Sequence, residues 1–150
     1  MPTLKVLIAD DDRLTRMILE RSVVQWGYHY ISAADGEAAC ELLKNQRVDV
    51  CILDWEMPGL TGPEVCKWIK STENDRTPHV ILNTTKDRPE DIQAAYEAGA
   101  NLYLTKPTDM RHLRRQLARL AANAQQQVAA RTSESTQTGA LGLFPLFSQQ

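Results

Sequence analysis

The sequence lacks the features that mark membrane, disulfide-bonded and zinc-binding proteins. No apolar run approaches the roughly 20 residues that a membrane-spanning helix needs, and the first run ends in acids where a signal peptide would continue. The three cysteines, Cys40, Cys51 and Cys66, are odd in number and have neither CxxC nor histidine spacing. We therefore expect a cytoplasmic protein with reduced thiols and no membrane span.

Common nucleotide-binding loops and a strong net charge are also missing. The chain contains neither GxxxxGK nor GxGxxG. Residues 1–107 have a charge balance of −5 and residues 108–150 a balance of +3, which sum to the net charge of −2. The basic cluster at 111–119 has no interleaved aromatic residues. We interpret it as the solvated face of a helix and expect no direct DNA binding.

Apolar runs typical of buried strands alternate with helical patterns along the chain. The predicted strands are residues 4–9, 28–33, 48–54, 79–85 and 101–105, and the predicted helices are residues 13–26, 35–45, 63–71, 89–100 and 108–130. Five repeats of strand then helix predict an α/β fold, with a parallel sheet, right-handed crossovers and helices on both faces. In the first helix, capped by Asp12, apolar positions 14, 17, 18 and 24 lie on one face.

Hydrophilic side chains stand at the ends of four of the five predicted strands. The first strand ends at Asp10 and Asp11, the third at Asp54, the fourth at Thr84 and Thr85, and the fifth at Lys106. Ligands of open parallel sheets bind at the carboxyl ends of the strands. We therefore expect these side chains to form one site.

Three carboxylates in one site would repel one another strongly. Two unit charges about 4 Å apart cost about 4 kcal/mol at an effective dielectric of 20. Oxygen ligands of this kind suit Mg²⁺ or Mn²⁺, and Mg²⁺ usually binds one or two protein carboxylates together with water and a substrate phosphate. A lone DDD is more often a helix cap with solvated acids, but its placement beside Asp54, Thr84 and Lys106 favours a phosphoryl-transfer site with one carboxylate as nucleophile.

Four stretches of sequence carry a resemblance to a known family. They are "ADDD" after the first strand, "LDWEMPGLTG" around the third, "LNTT" at the end of the fourth and "AGANLYLTKP" through the fifth. From about Leu4 to about Ala121 the chain resembles the response-regulator receiver domain (CheY-like) of bacterial two-component signalling. The resemblance implies a doubly wound, flavodoxin-like five-stranded sheet of order 2-1-3-4-5.

The resemblance also assigns roles to the residues of the site. Asp54 would be the phosphoacceptor, taking a phosphoryl group from a phosphohistidine on a sensor histidine kinase or a phosphotransfer protein. Asp10, Asp11, Asp54 and the main-chain carbonyl of Glu56 would hold Mg²⁺, with Mn²⁺ as an alternative. Lys106 would pair with the phosphoryl oxygens.

A second group of residues would convert phosphorylation into a change of surface. Thr84 would move inward to hydrogen-bond the phosphoryl group, and Tyr103 would change its rotamer as this happens. Glu56 and Lys86 would set how fast the phosphoryl group is lost, and we expect them to form an ion pair that restricts water. The peptide bond before Pro107 would be cis.

Three positions depart from the family pattern. Thr108 stands where an aromatic residue is frequent, and Asn101-Leu102 replaces an acidic pair that is often found in DNA-binding regulators. These differences argue against the dimer interface of those regulators. A homodimer could instead form through the long last helix. Its stripe of residues at 4-3-4 spacing consists of Leu113, Leu117, Leu120, Ala124 and Gln127 or Val128.

The predicted domain organisation is a receiver at 1–122, an extension of the last helix at 123–130 and a disordered or partner-docking tail at 131–150. We expect a phosphorylation-controlled switch that acts on an unknown protein partner and is not a turnover enzyme. Two alternatives stay open, a receiver-like module that is indifferent to phosphate and a receiver fragment of a longer regulator with an output domain.

Overall fold

All ten predicted elements occur in the computed structural model, which describes residues 3–72 and 76–126. The strands are β1 (Lys5–Ala9), β2 (His29–Ala33), β3 (Val50–Leu53), β4 (His79–Thr84) and β5 (Leu102–Thr105). The helices are α1 (Arg13–Gln25), α2 (Gly36–Asn45), α3 (Gly62–Ser71), α4 (Pro89–Glu97) and α5, which is helical over residues 110–126 as far as the chain is described. Each begins and ends within a few residues of its predicted bounds where both bounds are described.

The strands form one parallel sheet in the order β2-β1-β3-β4-β5. The expected order 2-1-3-4-5 is thus confirmed. Ala9 of β1 lies opposite Leu53 of β3, which lies opposite Leu82 of β4, and Thr84 lies opposite Thr105 of β5. Because these strands end at one edge of the sheet, the residues that follow them are brought together there.

Two apolar clusters cover the two faces of the sheet. One contains side chains of α2, α3 and α4, and the other contains Leu19 and Val23 of α1 together with Leu113 and Leu117 of α5. The two α5 leucines are fully buried, and Leu120 packs against the same cluster. This part of the 4-3-4 stripe therefore packs in the chain's own core instead of facing a second copy.

The C-terminal predictions are only partly covered by the structure. Helical residues continue through 126, and the predicted extension at 127–130 and the tail at 131–150 lie outside the described residues. Over the described ranges, no helix combines the length and the apolar character that crossing a bilayer would require.

The start of α1 accounts for the third acid of the DDD run. As predicted, Asp12 is the N-cap of this helix, and its Oδ2 accepts a hydrogen bond of 2.9 Å from the backbone N–H of Thr15. Hydrogen bonds from the hydroxyl and the N–H of Thr15 lower the pKa of Asp12. Asp12 thus stabilises the helix end, whereas Asp10 and Asp11 remain for the site.

The apolar face predicted for α1 is the solvent-exposed face of the helix. Its four side chains are exposed to solvent: Leu14 (65%), Met17 (36%), Ile18 (49%) and Val24 (56%). Leu19 and Val23, one helical turn apart, are buried against the sheet instead. Because apolar residues occur on two faces of this helix, periodicity alone does not identify the buried one.

Truncation of neighbouring aliphatic side chains distinguishes these two faces of α1. We expect Leu19→Ala to lower the free energy of unfolding by about 2–5 kcal/mol, because it leaves a cavity in the core. Ile18→Ala, its matched control on the exposed face, should change that free energy by about 0.5 kcal/mol or less. Urea unfolding measures both values, and equal losses would contradict the observed face.

Candidate functional site

Three carboxylates meet at the carboxyl edge of the sheet. Asp10 and Asp11 follow β1, and Asp54 follows the neighbouring strand β3. One carboxylate oxygen from each residue lies within 4.8 Å of the others. Asp10 and Asp54 are buried, whereas Asp11 is exposed. The cluster therefore has two carboxylates fixed inside the protein and one at its mouth.

Hydrogen bonds fix Asp10 from several sides. Asp10 is buried more deeply than Asp54, since only 1% of the residue is exposed. Oδ1 accepts a bond of 2.9 Å from the N–H of Asp12, and Oδ2 accepts one of 2.9 Å from Nζ of Lys106. Its main-chain carbonyl accepts a bond of 2.7 Å from Nη1 of Arg16. The position of this carboxylate is therefore set before any ligand binds.

Asp54 is held less completely. The residue is 8% exposed, and its Oδ1 accepts a hydrogen bond of 2.8 Å from the N–H of Trp55. Burial and the neighbouring charge of Asp10 raise the pKa of Asp54 to about 6, although Lys106 and the Trp55 N–H oppose the shift. The ionised form of Asp54 is thus destabilised when no cation is bound. A nearby positive charge would stabilise it.

Lys106 supplies the positive charge within the cluster. Its Nζ lies 2.9 Å from Oδ2 of Asp10 and 3.5 Å from Oδ2 of Asp54. Burial disfavours the ammonium group, but the hydrogen bond to Asp10 and the charge of Asp54 outweigh it and raise the pKa of Lys106. One ammonium does not balance three carboxylates, so the cluster fits a hard divalent cation held by oxygen ligands.

A second group of predicted residues lies around the loop between β4 and α4. Oγ1 of Thr84, which is 1% exposed, accepts a hydrogen bond of 3.3 Å from the N–H of Lys86. Oη of Tyr103 donates a bond of 2.6 Å to the carbonyl of Lys86. Burial raises the pKa of Tyr103 to about 12, so its hydroxyl remains a donor. Both switch candidates therefore contact the backbone of the same residue.

The side chain of Lys86 links this loop to the residues after Asp54. Its Nζ lies 3.6 Å from Oε1 of Glu56 and 5.2 Å from the centroid of the Trp55 ring. The ion pair expected between Glu56 and Lys86 is present, and both side chains are accessible to solvent. Sequence reasoning missed the contact with Trp55, since an aromatic residue beside an acid gives no sign of a distant lysine.

The sequence matches the model of a known protein family. The family model described as the response regulator receiver domain matches residues 6–118. The chain belongs to this family.

Individual relatives of this receiver are response regulators and transcriptional regulators by name. It is 40% identical over 118 residues to "Response regulator MprA" of Mycobacterium sp. (strain KMS), covering 79% of this chain and 49% of the relative. It is 41% identical over 113 residues to "Transcriptional regulatory protein AfsQ1" of Streptomyces coelicolor, covering 75% of this chain and 48% of that protein. The receiver thus spans about half the length of the curated relatives that it matches.

A solved structure resembles the receiver in fold. It is the receiver domain of the sensor histidine kinase PA1611 from Pseudomonas aeruginosa PAO1, described with a magnesium ion coordinated in the active-site cleft. The TM-score is 0.73 at 28% identity, with 80% of this chain and 98% of that chain covered. Receiver domains bind Mg²⁺ at an acidic site, and the cluster of Asp10, Asp11 and Asp54 is an acidic site of this kind.

The receiver fold also explains a glycine near the cluster. A Cβ at Gly62 would lie 2.2 Å from the main-chain oxygen of Asp54, so only glycine allows α3 to begin there. No motif in the sequence reveals this role of Gly62, because the close approach depends on the tertiary fold. The peptide bond between Lys106 and Pro107 is cis.

The raised pKa of Asp54 predicts how its replacement changes stability. The value in the folded protein, about 6, lies above the ordinary 3.8. The folded state therefore binds the proton more tightly, and Asp54 costs stability increasingly as the pH rises from about 4 through 6. In EDTA at pH 8, we expect Asp54→Asn to raise the free energy of unfolding by on the order of 2 kcal/mol.

The pH dependence provides the check on this expectation. At pH 4.5 the gain should be much smaller, because the wild-type carboxyl group is then mostly protonated when folded. Asp87→Asn, which removes an exposed acid outside the cluster, is the control and should show no such gain at pH 8. Urea unfolding at both pH values measures the difference, and an equal gain at both would contradict the raised pKa.

Proposed function

We propose that this receiver is a phosphorylation-controlled switch. Asp54 accepts a phosphoryl group from a phosphohistidine on a sensor histidine kinase or a phosphotransfer protein. The observation that carries the proposal is the meeting of three carboxylates and Lys106 at one edge of the sheet. A cytoplasmic location is part of the proposal, because such donors act on their receivers in the cytoplasm.

The acidic cluster would hold the cation that the reaction needs. Asp10, Asp11, Asp54 and the main-chain carbonyl of Glu56 are the proposed protein ligands of Mg²⁺, with Mn²⁺ as an alternative. When bound, the ion neutralises charge on the phosphoryl oxygens and on Asp54. Asp10 is the pre-set ligand because its hydrogen bonds already fix it, whereas Asp11 at the mouth remains free to adjust.

The residues of the chain then have separate parts in the transfer. An oxygen of Asp54 attacks phosphorus, the bond between phosphorus and the histidine nitrogen breaks, and the imidazole leaves with the electron pair. Lys106 pairs its ammonium group with the phosphoryl oxygens. The group stays on Asp54 until water removes it, so the chain acts on itself and is not a turnover enzyme.

The contacts of Thr84 and Tyr103 support a route from Asp54 to the surface. Phosphorylation adds nearly two negative charges and three strong acceptors. The Thr84 hydroxyl would donate to one of these acceptors and draw its strand end inward. Because Thr84 and Tyr103 both hydrogen-bond the backbone of Lys86, this movement would change the surface formed by β4, α4 and β5, where a protein partner binds.

The exposed apolar residues of α1 suit docking of the phosphohistidine donor. A donor must bring its histidine to Asp54, so its contacts fall on the elements that surround this edge of the sheet. α1 begins directly after Asp12, and Leu14 and Ile18 are exposed on its first turns. Apolar side chains on such a surface are typical of protein contacts.

The output of the switch concerns what the receiver controls. The relatives include a protein named as a transcriptional regulator, and this chain covers about half of it. We propose that the receiver does not bind DNA directly and acts through a protein partner. A receiver fragment of a longer regulator is the alternative that the length of the relatives favours.

Phosphorylation from a small donor tests the function directly. With Mg²⁺ and acetyl phosphate, we expect intact-mass analysis to show the gain of one phosphoryl group, and EDTA to prevent it. Asp54→Asn should show no gain, whereas the control Asp87→Asn should gain the group as the wild type does. A wild type without any mass gain would support the phosphate-indifferent module instead.

The pair of Glu56 and Lys86 generates a second prediction. If the pair restricts water, Glu56→Gln combined with Lys86→Met should speed hydrolysis of the phosphorylated protein. Exposed ion pairs contribute about 0–1 kcal/mol, so the increase should not exceed about five-fold. Decay of the phosphorylated mass after removal of the donor measures the rate, and an unchanged rate would show that the pair has no such role.

A further inference from the structure

A buried amide next to Thr84 is only half satisfied. Asn83 in β4 is 1% exposed, and its Oδ1 accepts a hydrogen bond of 2.8 Å from Oγ1 of Thr108. Its Nδ2 has no partner, and among the described residues it is the one buried side-chain polar atom in this condition. A buried polar group without a partner costs stability, so a polar residue at this position calls for an explanation.

The hydrogen bond between Asn83 and Thr108 joins two segments that carry residues of the site. Asn83 directly precedes Thr84, and Thr108 comes two residues after Lys106. A backbone bond of 2.8 Å from the N–H of Lys106 to the carbonyl of Thr84 joins the same segments. The side-chain bond adds a second connection, on the face of the sheet covered by α1 and α5, since Ile81 and Leu104 pack in that cluster.

Thr108 also stands at the entrance to α5. The next residue, Asp109, accepts hydrogen bonds at Oδ1 from the N–H groups of Arg111 (3.1 Å) and His112 (3.2 Å). These bonds cap the first turn of the helix. Thr108 therefore connects on one side to the end of β4 and on the other to the start of α5.

We propose that Asn83 and Thr108 are positioning residues that couple the phosphorylation site to α5. The inference rests on the proposed function, since it requires phosphorylation of Asp54 and inward movement of Thr84. When the end of β4 moves, the directional hydrogen bond draws Thr108 along and changes the first turn of α5. The Asn83–Thr108 pair would thus extend the phosphorylation-dependent change from the end of β4 to the start of α5.

A polar pair suits this coupling better than an apolar pair would. Apolar side chains can slide past one another at small cost, whereas a hydrogen bond weakens steeply when its geometry changes. Thr108 is half-buried and can turn its hydroxyl toward the amide as donor or acceptor. The two segments therefore move together, at the expense of an unpaired Nδ2.

Hydrogen exchange at the start of α5 tests the coupling. Wild type, Thr108→Val, Thr108→Ser and the remote control Thr77→Val are phosphorylated with acetyl phosphate and Mg²⁺ and compared at equal phosphoryl occupancy, measured by mass. We expect phosphorylation to change the protection of residues 110–114 in wild type, Thr108→Ser and Thr77→Val. In Thr108→Val, which has the shape of threonine without its hydroxyl, this change should fall to less than half.

The outcomes that would overturn the inference also show whether the proposed function fails with it. An undiminished change in Thr108→Val, or no change at residues 110–114 in phosphorylated wild type, contradicts the coupling and leaves the proposed function intact. A wild type that gains no phosphoryl group overturns the proposed function together with the inference.

Thermal unfolding of the unphosphorylated variants gives an independent check. Thr108→Val leaves the buried Asn83 without any partner, whereas Asn83→Val removes the unpaired amide and leaves only the half-buried Thr108 hydroxyl. We expect Thr108→Val to lower Tm more than Asn83→Val does. The reverse order would show that the hydrogen bond does not hold the two segments together.

Discussion

Repulsion among three carboxylates at one edge of the sheet is the constraint on which the site depends. Asp10, Asp11 and Asp54 share this edge with one nearby ammonium group, that of Lys106. Burial and repulsion raise the pKa of Asp54 to about 6. The metal-free cluster is therefore unfavourable in its fully ionised form. In the proposed function, a divalent cation would relieve this repulsion and would also supply the charge that a phosphoryl group needs.

The fold provides the means to hold such a cluster together. Parallel strands end at a common edge, so residues distant in the sequence become neighbours without a dedicated loop. Apolar layers cover both faces of the sheet, and Asp10 lies buried directly after β1. The exposed side of the site is more adjustable, since Glu56 and Lys86 are accessible to solvent. A fixed Asp10 beside a more adjustable rim suits the reversible phosphorylation that we propose.

Sequence reasoning predicted the parallel sheet and the meeting of the acids, because strand alternation and strand-end residues are local signals. The strand order came from the family resemblance. Periodicity did not identify the buried face of α1, since apolar residues such as Ile18 and Leu19 occur on both faces of the helix. The contact of Lys86 with Trp55 and the bond of Thr108 to Asn83 join segments far apart in sequence. No periodicity or motif reports such contacts, so only the tertiary structure reveals them.

The central claim is that a divalent cation relieves the charge repulsion at Asp54. Calorimetric titration with Mg²⁺, in buffers that differ in ionisation enthalpy, counts the protons released when the ion binds. Near pH 6 the account predicts release of about half a proton per ion, because the carboxyl group must be ionised to bind the metal. At pH 8 the release should vanish while binding persists. Absence of Mg²⁺ binding, or proton release that does not depend on pH, would contradict the account.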